Sequence, residues 1–178
     1  MAFELHNARN FKAFVIVKHS KYGYLVLKSA SNKPKKLGQY ELPGGRLEEN
    51  DFVGESDQTE IFQRAAAREL FEETGIDVRY NMQRLIRFED TRIPRKWQFF
   101  CLEINDDDLS NILKSHYDKN YIKESSSGEG SILRLSSEHD SFMFIKDLKE
   151  AAKSIQRHSQ GVCSKALILL DNQETSIE

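Results

Sequence analysis

An α/β protein with a mixed central sheet held between helices is what this chain predicts, and three observations lead there. Runs rich in β-branched and aromatic residues fill the first part. An alanine- and glutamate-rich helical segment occupies the middle, and further strands with a closing helix complete the order. Elements of both kinds, each with one apolar side, pack as layers around a common core. A length of 178 residues suits one domain over 1–178 and suffices for a substantial core. That core is expected over about 11–170, with a frayed, flexible tail at 171–178.

The elements follow in order. Phe11 to Lys18 and Tyr24 to Ala30 are β-rich runs around a polar turn at Ser20-Lys21-Tyr22-Gly23, which reads as a hairpin. Tyr40-Glu41-Leu42 is a short strand that Pro43 stops, since proline offers no ladder donor. A helix is predicted from about Ile61 to Thr74, with Gly75 suited to a left-handed position at its C-terminal end. Met82 to Phe88 and Trp97 to Glu103 read as strands. Asn105 to Gly130 is polar and reads as a partly helical insertion whose tip, Glu124-Ser125-Ser126-Ser127-Gly128, is mobile. Phe142 to Ile145 is a last short strand. Leu148, Ala151, Ala152 and Ile155 recur at helical spacing, and Cys163 to Leu170 is a short terminal helix.

Composition excludes several classes. The formal charge is −2 with both signs mixed along the chain, so there is no footprint for a nucleic-acid duplex. Cys101 and Cys163 are too few for a disulfide framework, lack metal-ligand spacing, and read as small buried apolar residues. The N-terminal residues show no basic region followed by an apolar run, and no apolar stretch reaches bilayer length. The expected location is cytoplasmic, with no membrane partner.

The chemistry gathers around Arg68 to Ile76. Glu69, Glu72 and Glu73 stand at i, i+3 and i+4, which puts three carboxylates on one helix face. A solvated face is the plain reading of such a run. Three like charges repel, however, and a hard divalent cation that prefers oxygen ligands would relieve them. Arg68 can reach Glu72 at i+4.

The full spacing resembles the signature box of the Nudix hydrolases. Gly54, Glu60, Arg68-Glu69, Leu70, Glu72-Glu73, Gly75 and Ile76 fill every fixed position, and Leu42-Pro43-Gly44-Gly45-Arg46 resembles what precedes the box. In that family the box glycine is the second of the glycine pair, here Gly45. Fourteen residues separate Gly45 from Glu60 where the family has five, so nine are extra, and Gly54 falls within an inserted acidic loop from Glu48 to Thr59. The resemblance covers Phe11 to Leu170 in layout and Glu41 to Ile76 in motif detail.

The resemblance implies an α/β/α Nudix sandwich and hydrolysis of a pyrophosphate bond in a nucleoside diphosphate linked to a further group X. A nucleoside triphosphate is modestly preferred as the small-molecule substrate. It implies Mg²⁺ or Mn²⁺ held by Glu69, Glu72, Glu73 and the Gly45 carbonyl, in-line attack of water, Glu69 helping to deprotonate that water, and Arg68 orienting a glutamate. Arg46 is a candidate for a substrate phosphate. Glu60 divides between a helix cap and an outer metal ligand. Glu138 or His139, in Ser136 to Asp140, are further candidates for a base, against the reading of a plain polar loop. Tyr40, Trp97, Phe99 and Phe100 could stack on a base but more often serve a core. Two rivals stand beside this reading. One is an isoprenyl diphosphate isomerase, which would need a poised cysteine. The other is a catalytically silent domain that binds a nucleotide or a protein.

Overall fold

Alternation along the first strand sorts the molecule into two cores. In β1 (Lys12–His19), Ala13, Val15 and Val17 enter one cluster while Phe14 and Ile16 enter the other. Successive side chains of a strand point to opposite faces, so a strand apolar on both faces needs a cover on each side. The computed structural model describes residues 10–36, 38–54, 57–115, 122–124 and 132–176.

Further strands extend the sheet: β2 (Gly23–Ser29), β3 (Tyr40–Glu41), β4 (Gly44–Arg46), β5 (Ile86–Phe88), β6 (Trp97–Ile104) and, late in the chain, β9 (His139–Ile145). β1 runs parallel to β6 along its whole length, from Lys12 opposite Trp97 to His19 opposite Ile104. Its other edge is shared: β2 pairs with the His19 end and β4 with the Lys12 end, both antiparallel. β2 also carries β3 and β9, and β5 closes the far edge on β6. The sheet is therefore mixed, as expected. A separate two-stranded ladder joins β7 (Ile122–Glu124) and β8 (Ile132–Arg134).

Helices cover both faces. α1 (Gln58–Thr74) buries Ile61, Phe62, Ala65, Ala66 and Leu70 on the Val15 side, where Leu109 of α2 (Asp106–Ser115) also packs. α3 (Leu148–Ser154) and α4 (Val162–Thr175) cover the Phe14 side with Leu148, Ala151, Cys163 and Leu167. Burying a side chain such as Phe62 contributes about 1.5–3 kcal/mol. α1 begins at the Asp57 cap, whose carboxylate accepts the Glu60 N–H at 2.8 Å, and ends on Gly75 at φ 79°, a left-handed position that glycine adopts without strain.

Four expectations change. β4 runs over Gly44-Gly45-Arg46, a sequence without β preference, because the Lys12 end of β1 offers it an open ladder. Met82–Arg84 is a 3₁₀ turn, leaving only Ile86–Phe88 as strand. β9 starts at His139, ahead of Phe142. The tail expected from Asp171 is helical through Thr175, where the Thr175 and Ser176 hydroxyls donate back to the carbonyls of Asp171 and Asn172. The helix expected in the 105–130 insertion is present as α2. Ser125 to Gly128 lie outside the described residues.

Candidate active site

α1 and β4 come together where neither has bulk. Gly45 sits so close to Glu69 that a Cβ there would lie 2.6 Å from the Glu69 carboxyl carbon. Only glycine lets the strand backbone approach the carboxylate in this way. Gly44 donates its N–H to Glu73 Oε2 at 3.3 Å. Glu69, Glu72 and Glu73 border one cavity of about 670 Å³, with Gly44, Gly45, Arg46 and Glu48 among its other walls. Glu73 is 5% exposed. Burial and the nearby Glu69 charge push its pKa well above the usual carboxylate range, against the Gly44 N–H. Burial also raises Glu69, with Arg68 opposing and Glu72 adding to the rise. Glu72 is the open one, about half exposed.

Arg68 organises this corner. Its Nε and Nη2 fork onto the two carboxylate oxygens of Asp51 at 3.1 and 3.0 Å, and Nη2 also donates to the Arg46 carbonyl at 3.0 Å. Nη1 reaches Glu69 at 3.1 Å and Glu72 at 3.4 Å. Burial opposes its charge, yet the bonds to Asp51 and the Glu69 charge hold its pKa above the ordinary arginine range. Asp51 is itself 3% exposed and takes the Glu48 N–H at 2.7 Å, while Arg64 donates to its backbone carbonyl at 3.0 Å.

Asp51 follows Gly45 after five intervening residues, the family spacing, and it makes the buried contact to the box arginine. The nine extra residues therefore lie between Asp51 and Arg68, later than the loop from Glu48 expected. Gly54, at φ 64°, has no neighbour within 4 Å of where a Cβ would stand. Glu60 is exposed, lies in the first turn of α1 and sits 3.8 Å from Arg64. It does not border the cavity, and it stands three residues after the Asp57 cap, where a carboxylate favours the helix dipole. The sequence signal for Asp51 was the count from Gly45, with aspartate in place of glutamate.

Other candidates sort by position. Arg46 borders the cavity. So does Glu138, but Lys33 holds it at 2.8 Å and keeps its pKa below the usual range, which suits an ion pair better than a base. His139 is 3% exposed in β9, and burial lowers its pKa. Phe99 and Phe100 are fully buried, Trp97 is nearly so, and Tyr40 packs against the second core; none of the four borders the cavity. Burial pushes the Cys101 thiol up to about 11, and Cys163 is fully buried. Neither thiol is poised as the isomerase rival requires.

His158, Glu41, Lys12 and Lys36 also border the cavity, and no motif announced them. His158 accepts the Leu42 N–H on Nδ1 at 3.1 Å and turns Nε2 to Glu41 at 3.4 Å. It fixes the chain just before Pro43 and the glycine pair. Burial lowers its pKa to about 4, so the ring is neutral near pH 7.

The residues fit a hard divalent cation. The donors are all oxygen, two carboxylates with raised pKa values adjoin, and the side-chain-free Gly45 leaves room beside them. As they stand, no three acidic, histidine or cysteine side chains among the described residues are gathered at ion-binding distances. Arg68 draws Glu69 and Glu72 toward itself, while Glu73 turns to Gly44.

A three-layer fold with a glutamate-rich helix against a glycine pair defines a class of hydrolases acting on pyrophosphate bonds. The NUDIX domain model matches residues 7–126, and the chain belongs to that family, whose members generally use divalent metal ions. The structure resembles an Ap4A hydrolase from C. elegans at 17% identity, with a TM-score of 0.52, covering 93% of this chain and 98% of that one. It also resembles a Nudix hydrolase from M. smegmatis, RenU, at 14% identity with a TM-score of 0.50, covering 94% and 87%. At such identities the likeness speaks for the fold. No curated protein sequence matches the chain. Among the described residues no helix is long and apolar enough to cross a membrane.

Proposed function

We propose that this cavity hydrolyses the pyrophosphate bond of a nucleoside diphosphate linked to X, with a modest preference for nucleoside triphosphates. The observation that carries the reading is the convergence of Glu69, Glu72 and Glu73 on the Gly44-Gly45 backbone in one cavity. Glu69, Glu72, Glu73 and the Gly45 carbonyl would hold Mg²⁺ or Mn²⁺. When bound, such ions neutralise charge on the phosphate oxygens and acidify water. Glu69 is the base of choice, because burial makes its carboxylate a better proton acceptor than an exposed one. Arg68, anchored by Asp51, orients Glu69 and Glu72. Arg46 meets a substrate phosphate.

The test is a screen of the purified chain with Mg²⁺ or Mn²⁺ against nucleoside diphosphate derivatives, identifying both products. Turnover is expected to vanish in excess chelator and to return with either ion. Binding of a nucleotide without turnover under every condition would show instead a catalytically silent module.

A further inference from the structure

Ser159 and Gln160 take left-handed backbone angles, φ 48° and 58°, although neither is glycine, and Gly161 continues at φ 83°. Such conformations are uncommon for residues with a side chain, and they persist where the surrounding structure requires them, often beside a functional site. The turn His158–Gly161 joins α3 to α4, and His158 and Ser159 border the cavity of the carboxylates. The turn lodges an imidazole beneath the glycine pair. His158 is 7% exposed, and its backbone N–H donates to the Ile155 carbonyl at 2.9 Å.

The ring meets the glycine turn in two ways. Nδ1 accepts the Leu42 N–H at 3.1 Å, so the ring proton sits on Nε2, which faces Glu41. Pro43 has no N–H, and the Leu42 amide is therefore the last one before that of Gly44. The ring also stands edge-on to Phe14, with centroids 5.2 Å apart at 87°. Phe14 lies opposite Gly44 in the β1–β4 ladder, so close that a Cβ on Gly44 would come within 2.7 Å of it. A buried histidine with both nitrogens placed is ordinarily a packing residue. Here it holds the last amide before Gly44, and the Gly44 N–H is the one that Glu73 accepts.

We propose that His158 is a positioning residue for the reaction: held by its left-handed turn, it sets, through Leu42 and Pro43, the Gly44 N–H against Glu73 and the Gly45 backbone beside Glu69. The role is exerted through the backbone. Its effect on turnover rests on the pyrophosphatase reading above, whereas its effect on the glycine pair does not.

The test compares the full chain with His158→Asn, whose amide oxygen can take the place of Nδ1, and with His158→Phe, which fills the slot without an acceptor. Amide hydrogen exchange without divalent metal is read at Leu42, at Gly44 and, as a reference in the core of β1, at Val17. In His158→Phe, Leu42 and Gly44 should exchange at least about tenfold faster while Val17 changes little. With Mg²⁺ its kcat should fall about tenfold or more at nearly constant KM, because the reacting geometry suffers more than binding. His158→Asn should keep both Gly44 exchange and kcat within about threefold of wild type. Unchanged Gly44 exchange in His158→Phe would overturn the proposal, and so would an equal acceleration at Val17, which would show a packing role alone. Should His158→Phe fail to fold, His158→Asn decides. A fall in its kcat with Leu42 and Gly44 still protected overturns the proposal, whereas protection and kcat moving together support it. A local exchange effect without turnover in the wild type would refute only the pyrophosphatase reading. Normal turnover in His158→Phe would refute only the positioning role.

Discussion

Asp51 and Glu60 compete for one role at the residue scale, and their surroundings separate them. Asp51 is buried and accepts two bonds from Arg68, whereas Glu60 is exposed beside Arg64. Charge-assisted bonds of the first kind are worth roughly 1.5–3 kcal/mol, and exposed pairs of the second kind about 0–1 kcal/mol. Asp51→Asn should therefore lower stability by about 2 kcal/mol in urea titrations and reduce kcat by loosening Arg68, while Glu60→Gln should alter both little. Equal effects from the two variants would contradict the placement of the insertion after Asp51. Glu73 follows a different sign. Its folded pKa lies above the unfolded value, so its charge opposes folding at neutral pH. Glu73→Gln should thus raise the melting temperature of the metal-free protein while lowering kcat by orders of magnitude. A variant that melts lower and turns over normally would exclude a metal-facing role.

At the scale of elements, the site depends on how closely β4 approaches α1. A methyl group at Gly45 would push Glu69 aside without any requirement on the backbone, because φ is not positive there. Gly45→Ala should fold and lose about two orders of magnitude in kcat, the cost of misplacing a catalytic group by an ångström. Near wild-type turnover would show that the approach is incidental. The loop from Glu48 to Thr59 divides in two. Glu48 to Phe52 is tied down by the Glu48–Asp51 capping box, by Arg68 and by Phe52 against the core. Asp57 caps α1. Asp57→Ala should cost about 1 kcal/mol in chemical denaturation, with no change in relative kcat/KM among nucleotides. Tolerance of deletion is therefore expected only in the exposed stretch around Val53 and Gly54.

For the whole molecule, buried histidines tie stability to pH. His158 has a folded pKa of about 4, and burial also lowers His139. Below about 6.5 the unfolded chain takes up protons that the native state refuses. The stability that the neutral His158 ring contributes at pH 7 should therefore decline from about pH 6.5 and be lost by about pH 4, an amount of roughly 3 kcal/mol. Urea titrations at pH 7, 6 and 5 should show this slope, and His158→Gln should reduce it. A slope unchanged in that variant would show that the ring is accessible to protons in the folded state.

Much of this protein was legible from local signals. The carboxylate spacing on α1, the Gly75 cap and the β-rich runs of β1 and β6 each depend on a few neighbouring residues, and the sequence alone determined them together with the layered fold. The extra residues were counted from the sequence and placed before Glu60, because Glu60 also satisfied the spacing to Arg68. Only packing showed that Arg68 grips Asp51. β4 was hidden because its glycines have no strand preference and take their conformation from the edge of β1. Lys12, Lys36, Glu41 and His158 share a cavity although they are remote in sequence. Only the tertiary structure brings them together, since charge, burial and pKa are set by what surrounds a group in space, and short-range sequence patterns do not carry that information.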